Sequence, residues 1–543
     1  MLFFPSSFSS VRKTTALQLI EGKDKSYTLL EYLQLLESLK SVKSLKKVSI
    51  FVDRLDMGFA ELYSVTEVLK TLKETGITLS AYAIQGDLKS LYLLSFCQER
   101  YSLDSGEFHV LLPSMEPFFF GGLISEKLEM EVENYASGKY KSFAEIFTRK
   151  GFSKESKENL NNLISSLRLQ IEQTFYQNTQ IDPEILKTPI LSSEKLKKLG
   201  FFQRLFDDEM YVFNYLFPEY GSDEEDDEPQ YRNLSMKQLK RLKKFQSFSV
   251  FPPKKEKLLV LPLKGNIVTG KKEEGNIKAG SIQAYSLRRL IREIREDDSV
   301  KAVIVEIDSG GGSAFASELI YREIAKLAAT KLTCAYFQNA SASGGYYIAA
   351  ACNQIYSNPF CITGSIGTVM VRPNFKGLYQ KLGISKDRLG FYPLRDVFSE
   401  YGKLSPKSKK FVIDEIERNK NIFYSRVMRS RSKTKEELFE LAEGRVFTGK
   451  DFHEKGMLDG ILPLQDLISN IKEKLGFKKL VVEYLSPVYD IQTFINDMNL
   501  MKQRIPKSLL KVSEEIFNYQ DKGFEYKSYI SEHIVNSIKE GSF

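Results

Sequence analysis

Cysteine and histidine are scarce in this 543-residue chain. The four cysteines, Cys97, Cys334, Cys352 and Cys361, form no CxxC pair and have no companion histidines. That excludes a zinc site or a disulfide framework and leaves reduced, partly buried thiols. The three histidines, His109, His453 and His533, lie far apart without a motif around any of them, so a His-dependent hydrolase has few candidates. No apolar run approaches the roughly 18–20 residues that cross a bilayer. The best stretches, Pro117-Phe118-Phe119-Phe120 and Leu258-Leu259-Val260-Leu261, are far too short. Met1-Leu2-Phe3-Phe4-Pro5-Ser6-Ser7 lacks a basic start followed by an apolar segment, so no cleaved signal is expected. Neither GxGxxG nor GxxxxGK[ST] is present, which argues against a phosphate-cradling loop. The net charge of +8, from 78 Lys plus Arg against 70 Asp plus Glu, is mild and spread in patches, so no nucleic-acid partner is expected. The chain reads as soluble and cytoplasmic.

At 42% hydrophobic residues the chain can bury one large or two medium cores. Its composition breaks once, at the acidic run Asp223-Glu224-Glu225-Asp226-Asp227-Glu228, followed by the basic stretch Lys237 to Lys244 and Pro252-Pro253-Lys254-Lys255. Such charge blocks are typical of solvated linkers. The expected organisation is an N-terminal repeat over 1–218, a charged linker over 219–254, a C-terminal repeat over 255–480 and a helical extension over 481–543. After the break, strand and helix patterns alternate: Leu258 to Leu263, Tyr285 to Glu296, Ala302 to Ile307, Ser317 to Ala328, Leu332 to Phe337 and Tyr346 to Ala351. This predicts an α/β fold with a largely parallel sheet. The first half repeats the scheme with Val48 to Val52, Tyr63 to Thr75 and Thr78 to Ile84.

Tyr92 to Ser102 aligns with Tyr347 to Ser357, an offset of 255 residues (347 against 92), sharing the tyrosines and cysteine of Tyr92, Cys97 and Tyr101 with Tyr347, Cys352 and Tyr356. Gly138-Lys139-Tyr140-Lys141 aligns with Gly390-Phe391-Tyr392-Pro393 at an offset of 252 (390 against 138). A three-residue indel reconciles the two, so the chain reads as a diverged tandem duplication; with so few identities, chance similarity is the alternative. Ser343 then faces Leu88, and Lys141 faces Pro393. Each half keeps what the other lacks.

Ser343 sits between a short strand and an apolar helix and is backed by Gly344 and Gly345. A serine hydroxyl needs a base within about 3 Å to act as a nucleophile. A lysine serves when desolvation lowers its pKa toward 7–8. The residues alone leave two alternatives open, Ser343 as a helix N-cap and Lys141 as a surface lysine. The loop Ser309-Gly310-Gly311-Gly312-Ser313 ends the strand Ala302 to Ile307, and its glycines allow backbone amides to approach a developing oxyanion. The helix after Ser343 adds its N-terminal dipole.

The second half resembles the signal peptide peptidase A, or protease IV, family. The resemblance rests on Ser309-Gly310-Gly311-Gly312-Ser313 with Ala316-Ser317-Glu318, on Ala342-Ser343-Gly344-Gly345-Tyr346-Tyr347, on Thr363-Gly364-Ser365-Ile366-Gly367, and on Gly444-Arg445-Val446-Phe447-Thr448-Gly449 with Gly456-Met457-Leu458-Asp459-Gly460. It implies tandem repeats of the Clp-protease and crotonase type of fold, with the lysine in the first repeat and the serine in the second. Gly138-Lys139-Tyr140-Lys141-Ser142-Phe143 matches the lysine segment. The resemblance thus implies Ser343 as nucleophile, Lys141 as base, and the amides of Gly311 and Gly344 as oxyanion donors. It implies no metal or other cofactor, extended apolar peptide substrates such as remnant signal peptides, and a ring-like homo-oligomer, a homotetramer. Two departures stand out. Gly310 replaces the family's usual proline, and the family's N-terminal membrane anchor has no counterpart here, which leaves a soluble protein, peripheral membrane contact, or a start downstream of the anchor. The function expected is that of a serine endopeptidase working through an acyl-enzyme. The alternatives are a crotonase-like acyl-CoA enzyme, which needs no Ser-Lys pair, and a non-catalytic scaffold on a protease fold.

Overall fold

Strands form where Val, Ile and Leu run without turn residues, and intervening amphipathic helices carry the chain back, so the sheets are mostly parallel. The computed structural model describes residues 2–3, 29–42, 44–52, 54–216, 256–270, 280–390, 393–476 and 480–485. The linker expected over 219–254, and everything after 485, lie outside them. In the first half, Lys47–Phe51, Thr78–Tyr82, Glu99–Leu103 and Arg204–Phe206 lie side by side in parallel, with Leu2–Phe3 at the edge. In the second half, Lys257–Lys264, Val300–Ser309 and Leu332–Ala342 form the centre of a larger sheet. Alternate residues of its strands enter different cores: Leu259, Leu261, Val303 and Val305 pack on one face, Leu258, Val260, Ala302 and Ile304 on the other. Both faces are covered, so these strands are apolar throughout.

Element for element the two halves correspond. Thr78–Tyr82, Gln85–Asp87, the helix Leu88–Ser95, Glu99–Leu103 and Glu107–His109 follow the same order as Leu332–Ala342, the helix Gly344–Ala349, Gln354–Ser357 and Ile362–Gly364. Glu107–His109 pairs antiparallel with Ile190–Ser192, as Ile362–Gly364 does with Val446–Thr448. The helices Lys154–Thr179 and Pro406–Arg431 are each 26 residues long and begin at the 252-residue offset. Each is capped by a serine, Ser153 or Ser405, whose amide donates to an upstream carboxylate, Glu145 at 3.0 Å or Asp396 at 2.7 Å.

Three expectations change. The strand predicted over Leu332 to Phe337 runs on to Ala342, because Ala340, Ser341 and Ala342 find partners in Ile362–Gly364, a pairing that local pattern does not reveal. The halves are not separate domains: the described residues of both halves form one compact unit, with Phe360 of the second half packed on Phe59 and Tyr92 of the first and Leu30 buried in the core of the second. The extension expected to be helical begins as the strand Val481–Tyr484, whose β-branched and aromatic residues add to the edge of Lys257–Lys264. Among the described residues no helix is long and apolar enough to cross a membrane.

Candidate active site

Ser343 stands where the strand Leu332–Ala342 turns into the helix Gly344–Ala349. Its backbone, at φ 52° and ψ −115°, lies where a side chain is strained, and its hydroxyl makes no capping bond. An ordinary N-cap has extended backbone and accepts from the helix, so the capping alternative does not describe this serine. The turn is held from both sides: the Ser343 amide donates to the Gly364 carbonyl at 2.9 Å, and its carbonyl accepts from Tyr347 at 2.9 Å. Strain of this kind, of order 1–3 kcal/mol, persists only where the surroundings enforce it.

Lys141 reaches this turn from the other half of the same chain. The strands Glu131–Ala136 and Val369–Asn374 pair antiparallel, with Ala136 opposite Val369, so the segment after Ala136 arrives beside residues 365–368. An ion pair between the buried Arg372 and Glu133 ties them together, and Arg372 also donates to the carbonyl of Gly402 at 2.8 Å. The lysine loop then lies on residues 443–445. Tyr140 donates its amide to the Glu443 carbonyl at 3.0 Å, and Arg445 donates to the Tyr140 hydroxyl at 2.6 Å while covering its ring. Gly444, at φ +87°, comes so close to the Lys141 backbone that a Cβ there would meet Lys141 N at 2.5 Å. Residues 443–445 in turn bond to 365–366, through Ser365 N to the Arg445 carbonyl at 2.6 Å and Gly444 N to the Ile366 carbonyl at 2.9 Å.

The outcome is a buried amine. Lys141 is 9% exposed, and its Nζ lies 3.0 Å from Ser343 Oγ, 2.7 Å from the Ser365 carbonyl oxygen and 2.9 Å from Ser365 Oγ. Burial pushes its pKa down to about 8. A neutral amine carries two hydrogens and one lone pair. With the hydrogens on the two Ser365 oxygens, the lone pair is left for the Ser343 hydroxyl. Ser365 itself has a left-handed φ of 51°. The sequence gives no role to it, although it lies in the motif Thr363 to Gly367; a serine between Gly364 and Ile366 carries no signal of what it will face.

The glycine loop differs from expectation in one respect. Gly311, at φ +108°, abuts the serine turn, where a Cβ would meet Gly344 N at 2.7 Å and Ser343 Cβ at 2.9 Å. Its amide, expected to serve an oxyanion, instead donates to Ser309 Oγ at 3.1 Å. The next amide is directed otherwise. Ile267 donates to the Gly311 carbonyl and accepts from Ser313 N, both at 2.9 Å, forming a parallel bridge to Gly312. In such a bridge the straddled residue turns its own N–H and C=O to the opposite side. Gly312 is exposed, Gly311 buried. Gly344 opens its helix, where the first amides have no intrahelical acceptor.

An α/β frame with a serine on a strained strand–helix turn and a desolvated amine against it belongs to the serine peptidases. Comparison with known proteins agrees: residues 325–478 match Peptidase family S49. The chain is 27% identical to the chloroplastic serine protease SPPA of Arabidopsis thaliana over 86% of this chain and 69% of that protein. It is also 27% identical to protease 4 of Haemophilus influenzae over 74% of this chain and 65% of that protein, so it spans about two thirds of the length of these relatives. A solved 1510-N membrane-bound stomatin-specific protease in complex with a substrate peptide aligns over 45% of this chain and 99% of its own, with 18% identity and a TM-score of 0.28. Residues 325–478 thus resemble the S49 serine peptidases, and over most of its length the chain is similar to proteins named SPPA and protease 4.

Proposed function

We propose that this chain is a serine endopeptidase in which Ser343 is the nucleophile and Lys141 the general base. The observation that carries the reading is the 3.0 Å approach of a buried Lys141 Nζ to Ser343 Oγ. As the hydroxyl attacks a peptide carbonyl, its proton passes to the Nζ lone pair, and the oxygen–carbon bond forms while the carbonyl electrons move onto oxygen. The amides of Gly344 and Gly312 receive that oxyanion. Lys141 then returns the proton to the leaving amine, the C–N bond breaks, and water hydrolyses the acyl-enzyme by the reverse sequence. Residues 1–218 act as the base-donating repeat and 255–480 as the nucleophile-bearing one. Crotonase-like acyl-CoA chemistry would leave the lysine without a task.

Substrates in this reading are extended apolar peptides such as remnant signal peptides, in keeping with relatives such as the putative signal peptide peptidase SppA of Enterococcus faecium, 32% identical over 36% of this chain and 57% of that protein. The assembly is a homotetramer in the cytoplasm with peripheral membrane contact. Exposed apolar side chains support further contacts: Leu111, Phe118, Leu123, Leu382, Leu389 and Phe398 are each at least half exposed. Where such side chains gather into one contiguous patch they mark an interaction surface. A fluorophosphonate probe tests the chemistry. Labelling of Ser343 that disappears in Lys141→Ala is expected; peptidase activity that survives Ser343→Ala would refute the reading. Light scattering of the purified chain tests the tetramer.

A further inference from the structure

We infer that Ser309 is a positioning residue whose hydroxyl fixes the glycine loop so that the Gly312 amide stays turned toward the substrate side. This rests on the proposed roles of Ser343 and Lys141. Gly310, Gly311 and Gly312 are consecutive, and three glycines lose much backbone freedom when they are held in one conformation. Two of the bonds that hold them come from the Ile267 backbone. The other restraint is a side chain. Ser309 Oγ donates to the Gly265 carbonyl at 2.7 Å and accepts the Gly311 amide at 3.1 Å. Its one hydrogen is spent on Gly265, so a lone pair faces Gly311. Ser309 is 2% exposed, which keeps water from replacing it. The hydroxyl therefore links the turn at Gly265 to the loop and holds the Gly311 peptide in one orientation. Removing it strands the buried Gly311 N–H and lets the Gly310–Gly311 peptide turn, which shifts the Gly311 backbone and leaves the next peptide, bearing the Gly312 amide, held only by the bond of its carbonyl to Ile267. That amide meets an oxygen that becomes charged only in the transition state, so the loss falls on kcat rather than KM.

The full-length chain is assayed on a chromogenic peptide, alongside its affinity for a peptide aldehyde, whose hemiacetal oxygen occupies the oxyanion site. Ser309→Ala is expected to lower kcat about 30-fold, less than the roughly 10²–10³-fold for losing an oxyanion donor outright. KM stays within about twofold, aldehyde affinity falls in parallel, and the pH midpoint does not move. Ser309→Thr, which keeps the hydroxyl, restores most of the rate, and Ser309→Cys, which keeps the volume with a weaker acceptor, falls between. Gly310 is exposed, and a Cβ there would meet nothing within 4 Å, so Gly310→Pro can stiffen the loop independently. Added to Ser309→Ala, it is expected to recover about tenfold of the lost rate. A kcat within twofold of the parent for both Ser309→Ala and Ser309→Cys overturns the inference. So does a lower kcat with unchanged aldehyde affinity, or a moved pH midpoint, since either would route the effect elsewhere. Activity persisting in Ser343→Ala would instead remove the underlying reading, and this inference with it.

Discussion

Leu88 and Ser343 occupy the same place in the two halves and are treated oppositely. Asp87 pairs with His109 as Ala342 pairs with Gly364, so Leu88 and Ser343 are the next residues out of matching strands. Leu88 is buried and enters its helix under an ordinary capping box, with Asp87 accepting from Ser90 at 2.9 Å. Ser343 enters its helix uncapped and strained. The loops before them follow suit. The helix at Phe59 is preceded by Leu55-Asp56-Met57-Gly58, the helix at Ala314 by Gly310-Gly311-Gly312-Ser313. Leu55, Met57 and Leu88 all belong to the first-half core. One copy of the architecture has turned its strand ends into packing, while the other keeps glycine, strain and an unspent hydroxyl there. A fold that stores strain in one half is supported by the other, which supplies both apolar mass and the lysine.

The sharpest break of this comparison is to remove the pair. Ser343→Ala and Lys141→Ala are each expected to lower kcat by about 10³-fold or more, and the double variant no further, because the two act as one unit. Independent, multiplicative losses in steady-state kinetics would show that they do not. Next, Leu88→Ser in a Ser343→Ala background recreates a serine at the corresponding place without lysine or glycine loop. It should recover no activity and cost about 3 kcal/mol in denaturant unfolding, the usual range for emptying a buried leucine site. Recovered turnover would mean that the position alone suffices.

Lys141→Met comes third. The folded lysine titrates near 8, below its ordinary 10.5, because burial disfavours the ammonium. Between those values the unfolded chain binds more protons, so stability rises with pH across that window and is flat below it. The methionine variant removes this slope and is expected to be about 2 kcal/mol more stable at pH 7, with the gap closing above pH 10.5. Activity of the parent should rise with pH around a midpoint near 8. A midpoint above 10 would mean that the base is not desolvated. Ser365→Ala deprives Nζ of one hydrogen-bond partner and is expected to lower kcat about tenfold with KM little changed. The smallest effect is Ser343→Gly, which should inactivate the chain yet raise its stability by about 1 kcal/mol, since glycine accepts the left-handed φ. A fall in its thermal midpoint would show that the turn is not strained.

Much of this was legible beforehand. The alternation of strand and helix patterns, the 255- and 252-residue offsets and the complementary losses of serine and lysine all lie in residue order, and the two 26-residue helices keep the second offset. Ser365 and the orientation of the Gly311 amide were not legible. A serine in Thr363-Gly364-Ser365 has nothing nearby in sequence to say that a lysine 224 positions away will rest on it. The family resemblance implies the Gly311 amide as an oxyanion donor, but Ser309 and Ile267 decide where it turns.

Residue order alone carries the α/β alternation, the duplicated plan and the candidate serine and lysine, because periodicity and residue chemistry are local or repeat at a fixed distance. The lowered pKa of Lys141, the strained turn of Ser343 and the choice between adjacent glycine amides belong to packing. Desolvation depends on everything within several ångströms of a charge, and an unfavourable φ survives only where bonds from distant segments outweigh its cost.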